Sequence, residues 1–231
     1  EARLHQVGRA REVALKAAVA ELARLLGGAK RFESAAHLAE WDQDTLMPSG
    51  GAAARAGVVG ALQGEVHARL TASAFRDALG SLCDLRTGAP DPGLAARDAD
   101  AVRSTWRRFN RARRLPGRLV FETAEAASAS QHAWAEAKRR SDFSLLRPHL
   151  ERIVRLKREA SACLGGRHPY DPLLDEYEPG MTAAGLDALF GALRGPLAAL
   201  AGRARGKGCR CPALADAAID GPPLEAFCRA L

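Results

Sequence analysis

Apolar residues recur along most of this chain at intervals of three and four, and β-branched residues are sparse. That spacing lays a stripe along one side of a helix, whereas a half-buried strand would need strict alternation. Leu4, Val7, Leu15, Ala18, Leu22 and Leu25 form the first such stripe, broken only by Arg11. Ala and Leu are abundant and aromatic residues make up 5% of the sequence, a balance that favours helix over sheet. The expected fold class is all-α, an antiparallel array of about eight helices with short connections. At 231 residues the chain can bury roughly 70% of its unfolded surface as one body, so a core is available without staples.

Glycine and proline punctuate the pattern. Gly27-Gly28 is expected to end the first helix, and a second, over 32–44, delivers Trp41. Pro48 breaks that helix and restricts Met47 before it. The next helix, 52–69, carries Val58, Val59, Leu62 and Val66 on one face, and a shorter one follows over 73–85. Residues 87–93 form the clearest loop of the first half. Helix resumes near Leu94 with Val102, Trp106 and Phe109 in register, until Pro116-Gly117. A long helix over 118–139 displays Val120, Thr123, Ala127, Ser130 and Trp134, whose small residues suggest close helix contact. Asp142-Phe143-Ser144 turns into a helix ending near Gly165-Gly166, with Leu150, Ile153, Val154 and Leu164 inward and Pro148 tolerated in its first turn. Thr182 reads as the N-cap of a helix carrying Leu186, Leu189, Phe190, Leu193, Leu197 and Leu200, kinked at Pro196. Residues 202–212 read as a basic loop, and 222–228 open one more helix. No repeat of fixed period is present, which disfavours a solenoid.

The formal charge is +7, with Arg far outnumbering Lys, which bears on solubility more safely than on function. No run of eighteen apolar residues and no signal-peptide layout is seen, so the expectation is a cytoplasmic protein with no membrane partner. Cys83, Cys163, Cys209, Cys211 and Cys228 are odd in number and unpatterned, which argues for reduced thiols. Cys209-Arg210-Cys211 would need two further ligands to hold a metal. His5, His37, His67, His132, His149 and His168 include no pair three to five residues apart, so no helix face presents two imidazoles. Serine-elbow, phosphate-loop and dinucleotide signatures are absent; Gly202-Arg203-Ala204-Arg205-Gly206-Lys207-Gly208 reads as a solvated loop.

Two carboxylate clusters stand out: Asp42 with Asp44, and Asp171, Asp175, Glu176 and Glu178. They could serve acid-base work or a hard cation. The simpler reading has Asp42 and Asp175 bonded to backbone donors or to arginines such as Arg55, pinning loops whose Trp41, Tyr170 and Tyr177 pack inward. The basic run from Trp106 to Arg114, with Arg118 beyond, mixes cations with aromatics as nucleic-acid surfaces do. Its helical spacing puts Trp106 and Phe109 on the apolar stripe, so nucleic acid is an unlikely partner.

The block Trp41-Asp42-Gln43-Asp44-Thr45-Leu46-Met47-Pro48, with Gly50-Gly51 and Arg55, is followed at a distance by Pro169-Tyr170-Asp171-Pro172-Leu173-Leu174-Asp175-Glu176-Tyr177-Glu178-Pro179-Gly180. Leu115-Pro116, Trp134, Asp142-Phe143, Pro148 and Leu150 fall between them in order. Together they resemble the N-terminal half of the carboxypeptidase Taq family of metallocarboxypeptidases. The resemblance implies a mostly helical, cytoplasmic, usually homodimeric enzyme that removes C-terminal residues from peptides by a metal-activated water. It also implies that zinc or a similar divalent ion is held by a His-Glu-x-x-His helix and a downstream Glu. Those residues would fall after the region matching Pro222 to Leu231, so no catalytic, cofactor-binding or metal residue is expected in this chain. The whole of 1–231 is then expected to be a single helical region, a truncated portion of a larger domain. It would be inactive alone and able to act on peptide only with the missing half. The implied part is a set of helices that cover and flank the substrate channel. The competing class is a non-catalytic helical module for dimerisation or partner binding.

Overall fold

In the computed structural model, which describes residues 2–206, eight α-helices and two short 3-10 turns follow one another with no strand among the described residues. One isolated bridge pairs Cys83 with Pro90. The first of two compact units ends at Tyr177 and the second begins at Glu178.

Helix α1 (Ala2–Thr45) is unbroken and runs through Gly27-Gly28, so the expected pair of helices is one element. A glycine in a helix interior costs about 1 kcal/mol relative to Ala, whereas burying a Leu contributes about 1.5–3 kcal/mol. Leu22 and Ala29 are buried on either side of the glycines, with Leu25, Leu26 and Phe32 packed against the same core. Arg69 reaches across from the next helix to sit 4.4 Å above the Phe32 ring. Packing outweighs two glycines. The helix does end as expected before Pro48, with the amides of Leu46 and Met47 both donating to Asp42 O at 2.9 Å.

A 3-10 turn at Ser49–Gly51 leads into α2 (Ala52–Thr71), which returns along α1 and also packs on the helix Gly117–Arg140. Val59 and Val66 point inward as the stripe suggests, but Val58 is half-exposed, being about 100° around the helix from Val59. Helix α3 (Ser73–Gly80) and the residues after it contribute Phe75, Leu79 and Leu82, all fully buried. They meet Val102 and Phe109 of α4 (Ala96–Ala112), where the Phe75 and Phe109 rings stack with centroids 6.2 Å apart. The connecting loop turns at Gly88, whose φ of +78° is left-handed. A Cβ there would lie 2.4 Å from the Trp106 ring, which itself donates Nε1 to Leu85 O at 3.0 Å.

Helix α5 (Gly117–Arg140) and α6 (Arg147–Leu164) pair antiparallel around Leu119, Ala126, Leu156 and Ala160. Asp142 caps the 3-10 turn between them by accepting from Ser144 N at 3.0 Å, and Pro148 occupies the first turn of α6. Both stripes differ from expectation. On α5 the buried residues are Leu119, Ala126, Ser128 and Ala137, none of them in the anticipated set, and on α6 Leu164 is inside and Ile153 packs on the core as expected, but Leu150 and Val154 are half-exposed while Leu156 and Ala160 are inside. Sequence spacing gave each helix an apolar side but not the single side that has a partner.

Helix α7 (Asp171–Leu174) is one turn. In the second unit, Thr182 accepts from Gly185 N at 3.1 Å, as an N-cap does, and α8 (Ala183–Gly206) continues through Pro196. The glycine and arginine positions 202–206, expected in a loop, belong to this helix. Its residues Ala183–Arg205 are long and apolar enough to cross a membrane by length and composition, at mean hydropathy 1.2, a test that core helices also pass. Cys209, Cys211, Cys228 and the helix expected over 222–228 lie outside the described residues.

Gly88→Ala should lower the unfolding free energy by about 2–4 kcal/mol, combining left-handed strain with overlap at Trp106; an unchanged denaturation midpoint would contradict this packing. Burial, and then the Asp84 charge, push the Cys83 thiol up to about 11. Native alkylation at pH 8 should therefore spare Cys83 until denaturant is added, as read by peptide mass.

Candidate functional site

The end of α1 is electrostatically awkward. Its last turns hold Asp42 and Asp44 and no basic residue, although the carbonyl end of a helix favours cations. Arg55, one turn into α2, corrects this from outside: Nη1 donates to Ala39 O at 2.6 Å and Nη2 to Asp42 Oδ2 at 2.5 Å. Arg111, at the end of α4, does the same for the second sequence block. Its Nη1 donates to Pro172 O at 2.8 Å and its Nη2 to Glu176 Oε2 at 2.8 Å. Arg107 lies 3.6 Å from Asp175. The pinning role anticipated for Asp42 and Asp175 is thus what these carboxylates do.

The aromatic residues of the blocks do not pack inward. Trp41 is 57% exposed, Tyr170 51% and Tyr177 78%. Trp41 follows the buried Ala36 by five positions, about 140° around the helix, and in the second block the buried residue is Pro172 instead.

Between the two clasps lies a groove of about 510 Å³. Glu40, Gln43 and Asp44 of α1 form one bank, Lys157 and Ala160 of α6 the other, and α5 the floor with Leu119, Val120, Thr123, Ala127, Ser128 and Gln131. Val59 and Gln63 of α2, Arg111, Leu173 and Glu176 complete it. Residues from both sequence blocks meet here. The small residues of α5 that suggested close helix contact line open space instead; close contact occurs at Gly60, where a Cβ would come within 3.0 Å of the Phe121 ring.

Register along the floor follows from named bonds. Arg118 pairs with Glu159, and Arg152 with Glu125 at 2.7 Å, which places Lys157 level with Val120. Gln43 donates Nε2 to Ser128 O at 3.4 Å and accepts from the Ser128 hydroxyl, placing the end of α1 level with Ser128. From Val120 to Ser128 is about 12 Å at about 1.5 Å per residue. Lys157 and the two carboxylates Glu40 and Asp44 therefore stand apart along the groove, whose lining also holds the paired Arg111 and Glu176. Glu40, Gln63, Gln131 and Lys157 went unnoticed in the sequence; the i, i+4 repeat of Glu40 and Asp44 was the available signal.

Among the described residues no three His, Cys, Asp or Glu side chains come together as a metal would require. These residues do not fit the zinc site that the resemblance implies, and no step through a metal is assigned to them. The basic run around α4 is engaged internally. Arg108 pairs with Glu33 at 2.7 Å, Arg111 with Glu176, and Arg113 with Asn110 at 2.8 Å, while Phe109 is buried.

A model of the family described as carboxypeptidase Taq (M32) metallopeptidase matches residues 21–230. Thermostable carboxypeptidase 1 of Thermus thermophilus is 35% identical over 184 residues, 75% of this chain and 35% of that protein. Carboxypeptidase 1 of Bacillus subtilis is 30% identical over 171 residues, 74% of this chain and 33% of that one. Among solved structures, metallocarboxypeptidase 1 of Trypanosoma cruzi matches with a TM-score of 0.66 at 28% identity, over 93% of this chain and 43% of that chain. The chain spans about a third of the length of the curated relatives it matches.

Arg55→Met should cost about 1–3 kcal/mol, since it strands a half-buried carboxylate. Amide exchange at Leu46 and Met47 should accelerate while Leu79 stays protected; equal protection at all three would refute the clasp.

Proposed function

The chain belongs to the carboxypeptidase Taq (M32) metallopeptidase family, and from that premise we propose that it is the N-terminal portion of a metal-dependent carboxypeptidase, building one wall of the channel that holds the peptide. The observation that carries this reading is the convergence of both sequence blocks, through Gln43, Asp44, Leu173 and Glu176, on one groove. The chemistry of peptide-bond hydrolysis then belongs to the part of the fold that these residues do not represent. What this chain contributes is position: Arg55 and Arg111 fix the two banks, and α5 supplies a floor of small side chains along which an extended peptide can lie. The metal expected for the whole enzyme is zinc or another divalent ion, and the compartment is the cytoplasm, consistent with Cys83 and Cys163 being free thiols.

A second reading, a non-catalytic module for dimerisation or partner binding, draws on the half-exposed Trp134, Leu150 and Val154 together with exposed Phe143. Light scattering of the purified chain separates the two: a well-behaved monomer argues for a self-contained module, whereas a dimer or an aggregating species suits a portion of a larger fold.

The direct test is a chimera in which this chain replaces the matching segment of the Thermus thermophilus relative. Metal-dependent release of C-terminal amino acids from a peptide is expected of the chimera and not of the chain alone. A helical, cooperatively unfolding chimera without that activity would overturn the proposal.

A further inference from the structure

The pair α5 and α6 carries apolar residues that the first unit leaves uncovered. Trp134, Phe143, Leu150 and Val154 are all exposed, and none of the four lines the groove between the clasps. Two hollows meet among them at Leu150. One, of about 310 Å³, lies between the helices against Trp134, Leu146 and Ile153; the other, of about 450 Å³, runs along α6 beside Val154, Arg155 and Arg158. A contiguous apolar patch with a polar rim marks an interaction site. The rim states what kind of partner it suits. Its carboxylates are already engaged, Glu136 by Arg139 at 2.7 Å and Glu151 by Arg147 at 2.8 Å. Its cations are in surplus. Arg155 and Arg158 make no ion pair or hydrogen bond among the described residues, and Lys138 has the Trp134 ring, 5.2 Å away, in place of an acid. Because Arg152 pairs with Glu125, Arg155 lies level with Glu122, and from there to Lys138 along α5 is about 24 Å, the length of a helix of about sixteen residues.

We propose that this face docks an acidic amphipathic helix of about four turns carried by a different polypeptide. Its apolar side lies over Trp134, Leu150 and Val154, and its carboxylates reach Lys138 at one end and Arg155 and Arg158 at the other. Charge and shape select this occupant. A second copy would set the surplus of cations against itself, in a chain whose formal charge is +7. A bilayer surface is flat on this scale and leaves the hollows unfilled, whereas side chains at i, i+3 or i+4 and i+7 of a helix enter them in turn. The inference goes beyond the peptidase reading and does not require it, since neither clasp takes part.

The test is an anisotropy titration of the full chain at low salt with three labelled synthetic peptides of about sixteen residues. The first carries a leucine stripe at three-four spacing with Glu and Gln elsewhere; the second has Lys in place of every Glu; the third is the first with its leucines scattered around the helix. The first should bind about tenfold tighter than the second, the size of two or three partly screened ion pairs, and tighter than the third. Arg155→Glu with Arg158→Glu should reverse the preference in favour of the lysine peptide, and Leu150→Ser should weaken both. Amide shifts should centre on Leu150 and Val154. Equal binding of acidic and basic peptides, an unreversed preference, or shifts confined to other faces would overturn the proposal. So would a dimer of the chain, or adhesion to phosphatidylglycerol vesicles, that Leu150→Ser abolishes, since each names another occupant. The chimera with the Thermus thermophilus relative should keep the preference for the acidic peptide. Loss of peptide binding there means that the rest of the fold covers this face and sinks this proposal alone, whereas an inactive chimera that keeps the preference sinks the peptidase assignment alone.

Discussion

Arg55 sits where the carbonyl end of α1 and the carboxylate of Asp42 would otherwise face each other without a cation. The arrangement around the groove depends on that one guanidinium. It joins two helices across a turn that Pro48 forces open, and it fixes which way Gln43 and Asp44 point. Arg111 repeats the device on the other bank, with one N–H on a backbone carbonyl and another on an acid. A planar fork suits this double duty in a way a lysine ammonium cannot, because two donors leave it in fixed directions. Stability of the molecule comes mainly from elsewhere, from Phe75, Leu79 and Leu82; the arginines set shape rather than supply the bulk of the free energy.

Much of this was legible in the sequence. The helical class, the breaks at Pro48 and Pro116, the Thr182 cap and the pairing of Asp42 with Arg55 all follow from local rules of spacing, capping and charge. What local rules could not reach was the choice between competing terms of similar size. Gly27-Gly28 looks like a stop until Leu22 and Ala29 are known to be buried on the same wall. Val58 and Val59 are equivalent letters, and only the position of α5 decides which one is inside. The groove was hard to see for a related reason: Glu40, Gln131 and Lys157 come from three different helices, and the i, i+4 repeat of Glu40 and Asp44 is the one local mark among them.

The inner and outer sides of α5 divide labour. Leu119 and Ala126 hold it to α6, whereas Val120 and Ala127, each one residue further on, line the groove together with Thr123. A helix whose two adjacent faces are both mildly apolar reads in sequence as one broad stripe. In the structure one half is cement and the other is floor.

The unbroken run of α1 carries a further consequence. Its middle is locked into the core at Ala29, and its end presents Asp42 to Arg55 and Asp44 to the groove. A rigid rod fixed at one point transmits angle. Inserting one residue between Ala29 and Asp42 would turn everything beyond by about 100°, carrying Asp42 away from its arginine, whereas inserting a whole turn would shift the end by about 5.4 Å with little rotation. The interval between core and groove is therefore a counted length, and a chain of this design can drift in composition there far more readily than in number of residues.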